Sequence, residues 1–151
     1  MGFELISLRS MDERILRLLR KDRICVLSVP LDDGTPHGAV MHFSFDEASS
    51  RLFFQTSTTV KSKAILDQGG KTKASVVIGL SEADFTTLQM RGEIAIVTNE
   101  TELQLITDIH YRKLPEAEKY RDADTIFLTF TPTWWRYTDF TAKPEAIVES
   151  E

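Results

Sequence analysis

A run of four hydroxyls, Thr56, Ser57, Thr58 and Thr59, is followed by two lysines, Lys61 and Lys63, in the segment FFQTSTTVKSK, residues 53–63. An apolar strand pattern ends there and a short helical pattern, VKSKAILDQ over 60–68, begins. The first amides of a helix have no partner within it and favour an anion. Hydroxyls at Thr56, Ser57 and Thr59 add hydrogen-bond donors, and the two ammonium groups add charge. The chemistry this suits is the grip on a phosphate. On a regular helix Lys61 and Lys63 stand about 200° apart, so both reach one phosphate only near the helix axis or where the turn is not yet regular. The same residues also read as a capped, solvated helix start, and spacing alone leaves both open.

Other chemistries find less in the chain. No G-x-G-x-x-G or G-x-x-x-x-G-K-[ST] occurs, so the common nucleotide loops have no support. His37 and His42 are five apart on a predicted strand, hence on opposite faces, which argues against a shared metal. His110 falls on the packed side of a predicted helix and reads as structural. No G-x-S-x-G marks a serine nucleophile. On one strand, Trp134 and Arg136 share a face while Trp135 and Tyr137 share the other. One tryptophan then fills the core and the other is available to a planar ligand or a partner subunit. The lone cysteine, Cys25, sits in the apolar run RICVLSV and reads as a buried hydrophobe.

The elements that must position these residues follow from periodicity. Ser10 and Glu13 have the spacing of a capping box before a helix over 10–20. Strands are predicted at 23–29, 37–45, 51–56, 73–79 and 86–98, the last carrying Gly92, a mark of a bulge or close backbone approach. Asn99 and Glu102 open a helix over 100–110, and strands at 124–130 and 133–140 are parted by Pro132. Strands joined mostly by hairpin-like turns indicate an antiparallel barrel or sandwich of the mainly β (α+β) class. At 151 residues the chain is expected to be one domain, 1–151, with 1–9 and 141–151 as peripheral tails. A net charge of −5 argues against nucleic acid as a partner. No apolar run nears the roughly 20 residues of a membrane helix, and no secretory signal is visible, so the cytoplasm is the expected location and no membrane partner is foreseen.

Taken in order, the pieces HGAVMHFSFDE, RLFFQTSTTVKSKAILDQ, KASVVIG, LQMRGEIAIV and a closing strand with tryptophan and arginine resemble the pyridoxamine 5′-phosphate oxidase-like superfamily. These are flavin-binding split β-barrels, and the resemblance covers about residues 11–140. It implies a split antiparallel barrel of six to seven strands with short flanking helices. It also implies a homodimer with FMN at the subunit interface, haem or deazaflavin being the alternative cofactors. Val40, Met41, His42 and Phe43 would line the flavin ring, partly through backbone groups, followed by Gln55, Thr56 and Ser57. Lys61, Ser62 and Lys63 would hold the phosphate. Gln89 would reach the flavin from the second subunit, and Trp134 or Trp135 with Arg136 would close the site. The implied activity is flavin-mediated hydride or electron transfer, or, alternatively, flavin carriage without turnover. The second strand reads GAVMHF where the family usually carries basic residues. The C-terminal arginine–histidine signature of true pyridoxamine phosphate oxidases is missing, so that particular activity is not expected.

Overall fold

The computed structural model describes residues 11–150. The first helix, α1 (Glu13–Lys21), buries Ile15, Leu18 and Leu19 along one face. Its N-cap is Asp12, whose carboxylate accepts the Arg14 amide at 2.8 Å. The cap expected at Ser10 lies outside the described residues. Eight strands follow, all paired antiparallel: β1 (Ile24–Pro30), β2 (Pro36–His42), β3 (Ser44–Asp46), β4 (Arg51–Thr56), β5 (Lys71–Ile78), β6 (Thr86–Ile96), β7 (Ile126–Asp139) and β8 (Ala146–Glu149). Between them lie α2 (Val60–Asp67), α3 (Glu100–Lys113) and a 3₁₀ turn at Pro115–Tyr120. Among the described residues no helix is long and apolar enough to cross a membrane.

Seven strands run in the order β2-β1-β5-β6-β7-β4-β3, and β8 pairs with the free end of β7. The two outermost strands of that path, β2 and β3, are consecutive in the chain and separated only by Phe43. A sheet whose opposite edges are one residue apart has to curl back on itself. The result is a split barrel with its seam at Phe43. The predicted single strand over 37–45 is broken at that residue.

Inside the barrel sit Leu27, Phe54, Ile65, Leu88, Met90, Phe130 and Trp135, each at most 6% exposed. At roughly 1.5–3 kcal/mol per large apolar side chain, this interior is the main source of stability. A second, smaller core of Phe53, Val97, Ile106 and Phe127 lies where α3 packs on the outer side of β4 and β7. Strand parity makes this division, because Phe53 and Phe54 point to opposite faces of β4. Cys25 is fully buried, and burial pushes its thiol up to about 12, so it behaves as the small hydrophobe expected.

Two expectations are corrected by the sheet. Residues 126–139 form one strand rather than two, and Pro132 lies within it. Proline survives there because its register partner is Gly92, at a shift in pairing between Arg91 and Gly92 where the ladder is already irregular. The C-terminal segment, read as a polar tail, contributes β8, with Glu149 opposite Arg136.

Candidate functional site

The hydroxyl-rich corner is first of all a helix start. Thr59 caps α2: its hydroxyl accepts the Ser62 amide, while Ser62 Oγ accepts the Thr59 amide at 2.8 Å. Ser62 Oγ also donates to the Ser57 carbonyl at 2.8 Å. These bonds commit Ser62 to holding the turn, which the capping-box spacing accounts for. Lys61 and Lys63 diverge, as their angular separation on a helix requires. Lys63 is 70% exposed and pairs with Asp67 at 2.7 Å, beside a shallow hollow that also takes in Asp32 and Asp33. It stands apart from Lys61, so the expectation of two lysines on one phosphate reduces to one. Lys61 is 7% exposed, and its ammonium donates to Thr59 Oγ1 at 3.2 Å. Among the described residues no carboxylate lies within ion-pair distance of it, and burial pushes its pKa down. A desolvated cation without a counter-charge fits an anionic ligand group.

Three residues before the Thr59 cap, Thr56 borders a cleft of about 440 Å³ beside the barrel seam. Its walls are Val40, Met41 and His42 of β2 with Gln55 and Thr56 of β4. The far side is formed by His110 and Leu114 at the end of α3, then Glu116, Ala117 and Tyr120 of the 3₁₀ turn. Five of the residues expected at a ligand therefore share one hollow. Val40 is 64% exposed, whereas Met41 is mostly core. Phe43 is not among the lining residues: it is fully buried beneath the Lys113 ammonium, 3.9 Å from its ring centroid. Lys113 in turn donates to the Leu19 carbonyl at 2.9 Å and the Asp22 carbonyl at 2.5 Å, tying the end of α3 to the end of α1.

Two groups in this cleft carry polar atoms of particular interest. Gln55 Nε2 donates to the Ala117 carbonyl at 3.0 Å, which leaves Oε1 buried with no partner among the described residues. His110, 1% exposed, holds Ser44 Oγ at 2.7 Å through Nδ1. Burial lowers its pKa to about 4, with Lys113 and His42 adding to the effect, so the ring is neutral at neutral pH. Unfolding returns His110 to its ordinary value near 6.5, so the unfolded chain takes up a proton as pH falls below that value. Stability is therefore expected to drop between about pH 6.5 and about pH 4, by about 2 kcal/mol on going from neutral pH to about pH 5. Urea unfolding of the protein and of His110→Gln at both pH values checks this. The same slope in both proteins would show that His110 is not its source. Sequence reasoning read His110 as structural and did not single out Glu116 or Tyr120; the only signal was the position of His110 on the packed side of its helix.

Of the remaining expected residues, Gln89, Trp134 and Arg136 lie on the outer face of the sheet and Trp135 does not. Gln89 stands opposite Arg136 in the β6–β7 register, and Met90 opposite Trp135. Trp135 is 6% exposed in the barrel interior, so Trp134 is the outward-facing tryptophan. The Arg91 guanidinium lies 4.0 Å over its ring centroid, and its Nε1 donates to Glu149 at 3.0 Å. Arg136 pairs with Glu149 at 3.3 Å. Register places Val40, Val26, Val77, Gln89 and Arg136 in one row across five strands. Val40 and Gln89 are three strands apart, about 14 Å. A single chain thus holds its expected ligand residues in two separate groups.

The chain aligns with a pyridoxamine 5′-phosphate oxidase-related, FMN-binding protein from Nostoc punctiforme at a TM-score of 0.70 and 16% identity, over 89% of this chain and 85% of that one. The fold is that of the pyridoxamine 5′-phosphate oxidase-like split barrels. A protein of the pyridoxinephosphate oxidase family from Clostridium acetobutylicum shares this split barrel at a TM-score of 0.65 and 19% identity, over 92% of this chain and 96% of that one. So does a haem-binding protein from Mycobacterium smegmatis, at a TM-score of 0.71 and 11% identity, over 88% of this chain. This split barrel spans about 55% of the length of the mycobacterial protein. At such identities the likeness is one of fold. No protein-family model and no curated protein sequence matches the chain.

Proposed function

We propose that this protein binds FMN non-covalently and, as a homodimer, serves flavin-dependent oxidation–reduction of a small molecule. The observation that carries the reading is the Lys61 corner: a buried lysine at a helix start, with no carboxylate at ion-pair distance among the described residues, five residues beyond Thr56 of the cleft wall. Lys61, Thr56 and the first amides of α2 would hold the phosphate, while Val40, His42 and Gln55 would flank the ring. FMN supplies the hydride or electron transfer when bound. The chain's part is to neutralise the phosphate, orient the ring against β2 and β4, and exclude water with the 3₁₀ turn.

The two separated groups of residues support the dimer. Gln89, Trp134 and Arg136 reach a ligand seated at Val40 only from a second copy, whose outer sheet face would cover the exposed Val40. A second reading, haem or deazaflavin carriage without turnover, draws support from the haem-binding protein of like fold and from the two histidines on the cleft wall.

Titration of the purified full-length protein with FMN, riboflavin and haemin, with its mass in solution measured in parallel, separates these readings. The expected result is one FMN per chain, tighter than riboflavin, on a dimer that a nicotinamide reductant reduces anaerobically. Haemin binding without FMN binding would overturn the flavin reading. FMN held by a monomer would overturn the shared site. Tight FMN without reduction across a panel of donors would favour carriage.

A further inference from the structure

Two residues of the cleft wall, Gln55 and His110, have the donor and acceptor roles of their side-chain atoms set by the protein. Gln55 must present its amide nitrogen to the Ala117 carbonyl, because a carbonyl only accepts, and this fixes the side-chain oxygen as the outstanding group. That oxygen is buried without a partner among the described residues. A buried unpaired acceptor is uncommon and calls for an explanation.

The state of His110 follows from Ser44. The Ser44 hydroxyl is fully buried, and among the described residues its hydrogen-bond partner is His110 Nδ1. A buried hydroxyl needs somewhere to place its proton, so Ser44 donates and Nδ1 accepts. The ring proton is then on Nε2, and His110 is among the residues that line the cleft.

Resting on the flavin reading above, we infer that Gln55 Oε1 and His110 Nε2–H recognise the imide edge of the ring, the N3–H and an adjoining carbonyl oxygen. Oxidised isoalloxazine has a single ring N–H, and it is flanked by two carbonyls. Haem offers nothing equivalent: its pyrrole nitrogens are taken by iron, and its propionates are acceptors that the Gln55 oxygen would repel. The pair therefore sets the choice between the two kinds of cofactor found in proteins of this fold.

The test compares riboflavin with 3-methylriboflavin, in which a methyl group replaces the ring N–H proton, by quenching of flavin fluorescence on the full-length protein. One neutral hydrogen bond corresponds to about tenfold tighter binding of riboflavin. Gln55→Met keeps the length of the side chain without its oxygen. It is expected to bind both flavins within about twofold of each other, with 3-methylriboflavin held as by the parent protein. Should the parent protein bind the two flavins equally, the edge reading fails while flavin binding stands. Discrimination retained in Gln55→Met would overturn the role of Gln55. No binding of either flavin would overturn this inference, and a failure to bind FMN as well would overturn the functional reading beneath it. The comparison of the two ligands on the parent protein needs no variant, so it decides even if Gln55→Met does not fold.

Discussion

Gly92→Val is expected to destabilise this protein by about 4 kcal/mol or more, enough to leave little folded chain in a domain of ordinary stability. A Cβ built at Gly92 would stand 2.1 Å from the Thr131 carbonyl oxygen and 2.8 Å from Pro132 Cα. Both are backbone atoms of β7, and neither can swing aside as a side chain does. The clash falls at the pairing shift between β6 and β7, the longest ladder in the sheet, so relief would pull apart strands that carry Met90, Ile94 and Phe130 into the core. Gly38→Ala is the control. Its added methyl meets the Ser28 hydroxyl at 3.2 Å, a side chain that rotates away, and a loss within about 1 kcal/mol is expected. Urea unfolding of both variants measures the difference. Equal losses would mean that the close approach at Gly92 is not what sets its cost.

Lys61→Ala is expected to weaken FMN by about 10- to 100-fold and riboflavin by less than about threefold, since a charge-assisted bond contributes about 1.5–3 kcal/mol. Riboflavin has the ring and the ribityl chain but no phosphate, so the ratio of the two affinities isolates the anion. Lys63→Ala, by contrast, is expected to change both affinities by less than about threefold. Its ammonium is spent on Asp67 and stands 70% exposed. Equal losses of FMN and riboflavin on removing Lys61 would show that this ammonium does not meet the phosphate. Melting temperatures measured alongside separate a binding defect from a folding one, because Lys61 also steadies Thr59 in the cap of α2.

How far the sequence could be read depended on whether a residue's meaning was local. The hydroxyl run before Val60 also read as a capped helix start, and local bonds between Thr59 and Ser62 realise it. A lone glycine in a β-pattern was enough to mark Gly92 as a close approach. Parity on one strand divided Trp134 from Trp135. Choosing the inward one needed the neighbouring strand, where buried Met90 lies opposite Trp135. Pro132 was misread for the same reason: a proline ends a strand unless the partner supplies an irregularity, and its partner is 40 residues away in the chain. His110 was hidden most deeply. Its helical face showed that it packs, but its hydrogen-bond partner Ser44 is 66 residues distant, and nothing local reveals that the packed face borders a cleft.

Phe43 holds the barrel's two margins in a common phase. Met41, Phe43 and Phe45 turn inward, while His42 and Ser44 turn toward the cleft and α3. Adding one residue between His42 and Ser44 would shift everything downstream by half a pleat, sending Phe45 toward the helix and Ser44 into oil. Two added residues would restore the phase and lengthen only the hinge. Tolerance to insertion at this point should therefore alternate between odd and even, a signature expected of a continuous pleat and not of a loose connecting loop.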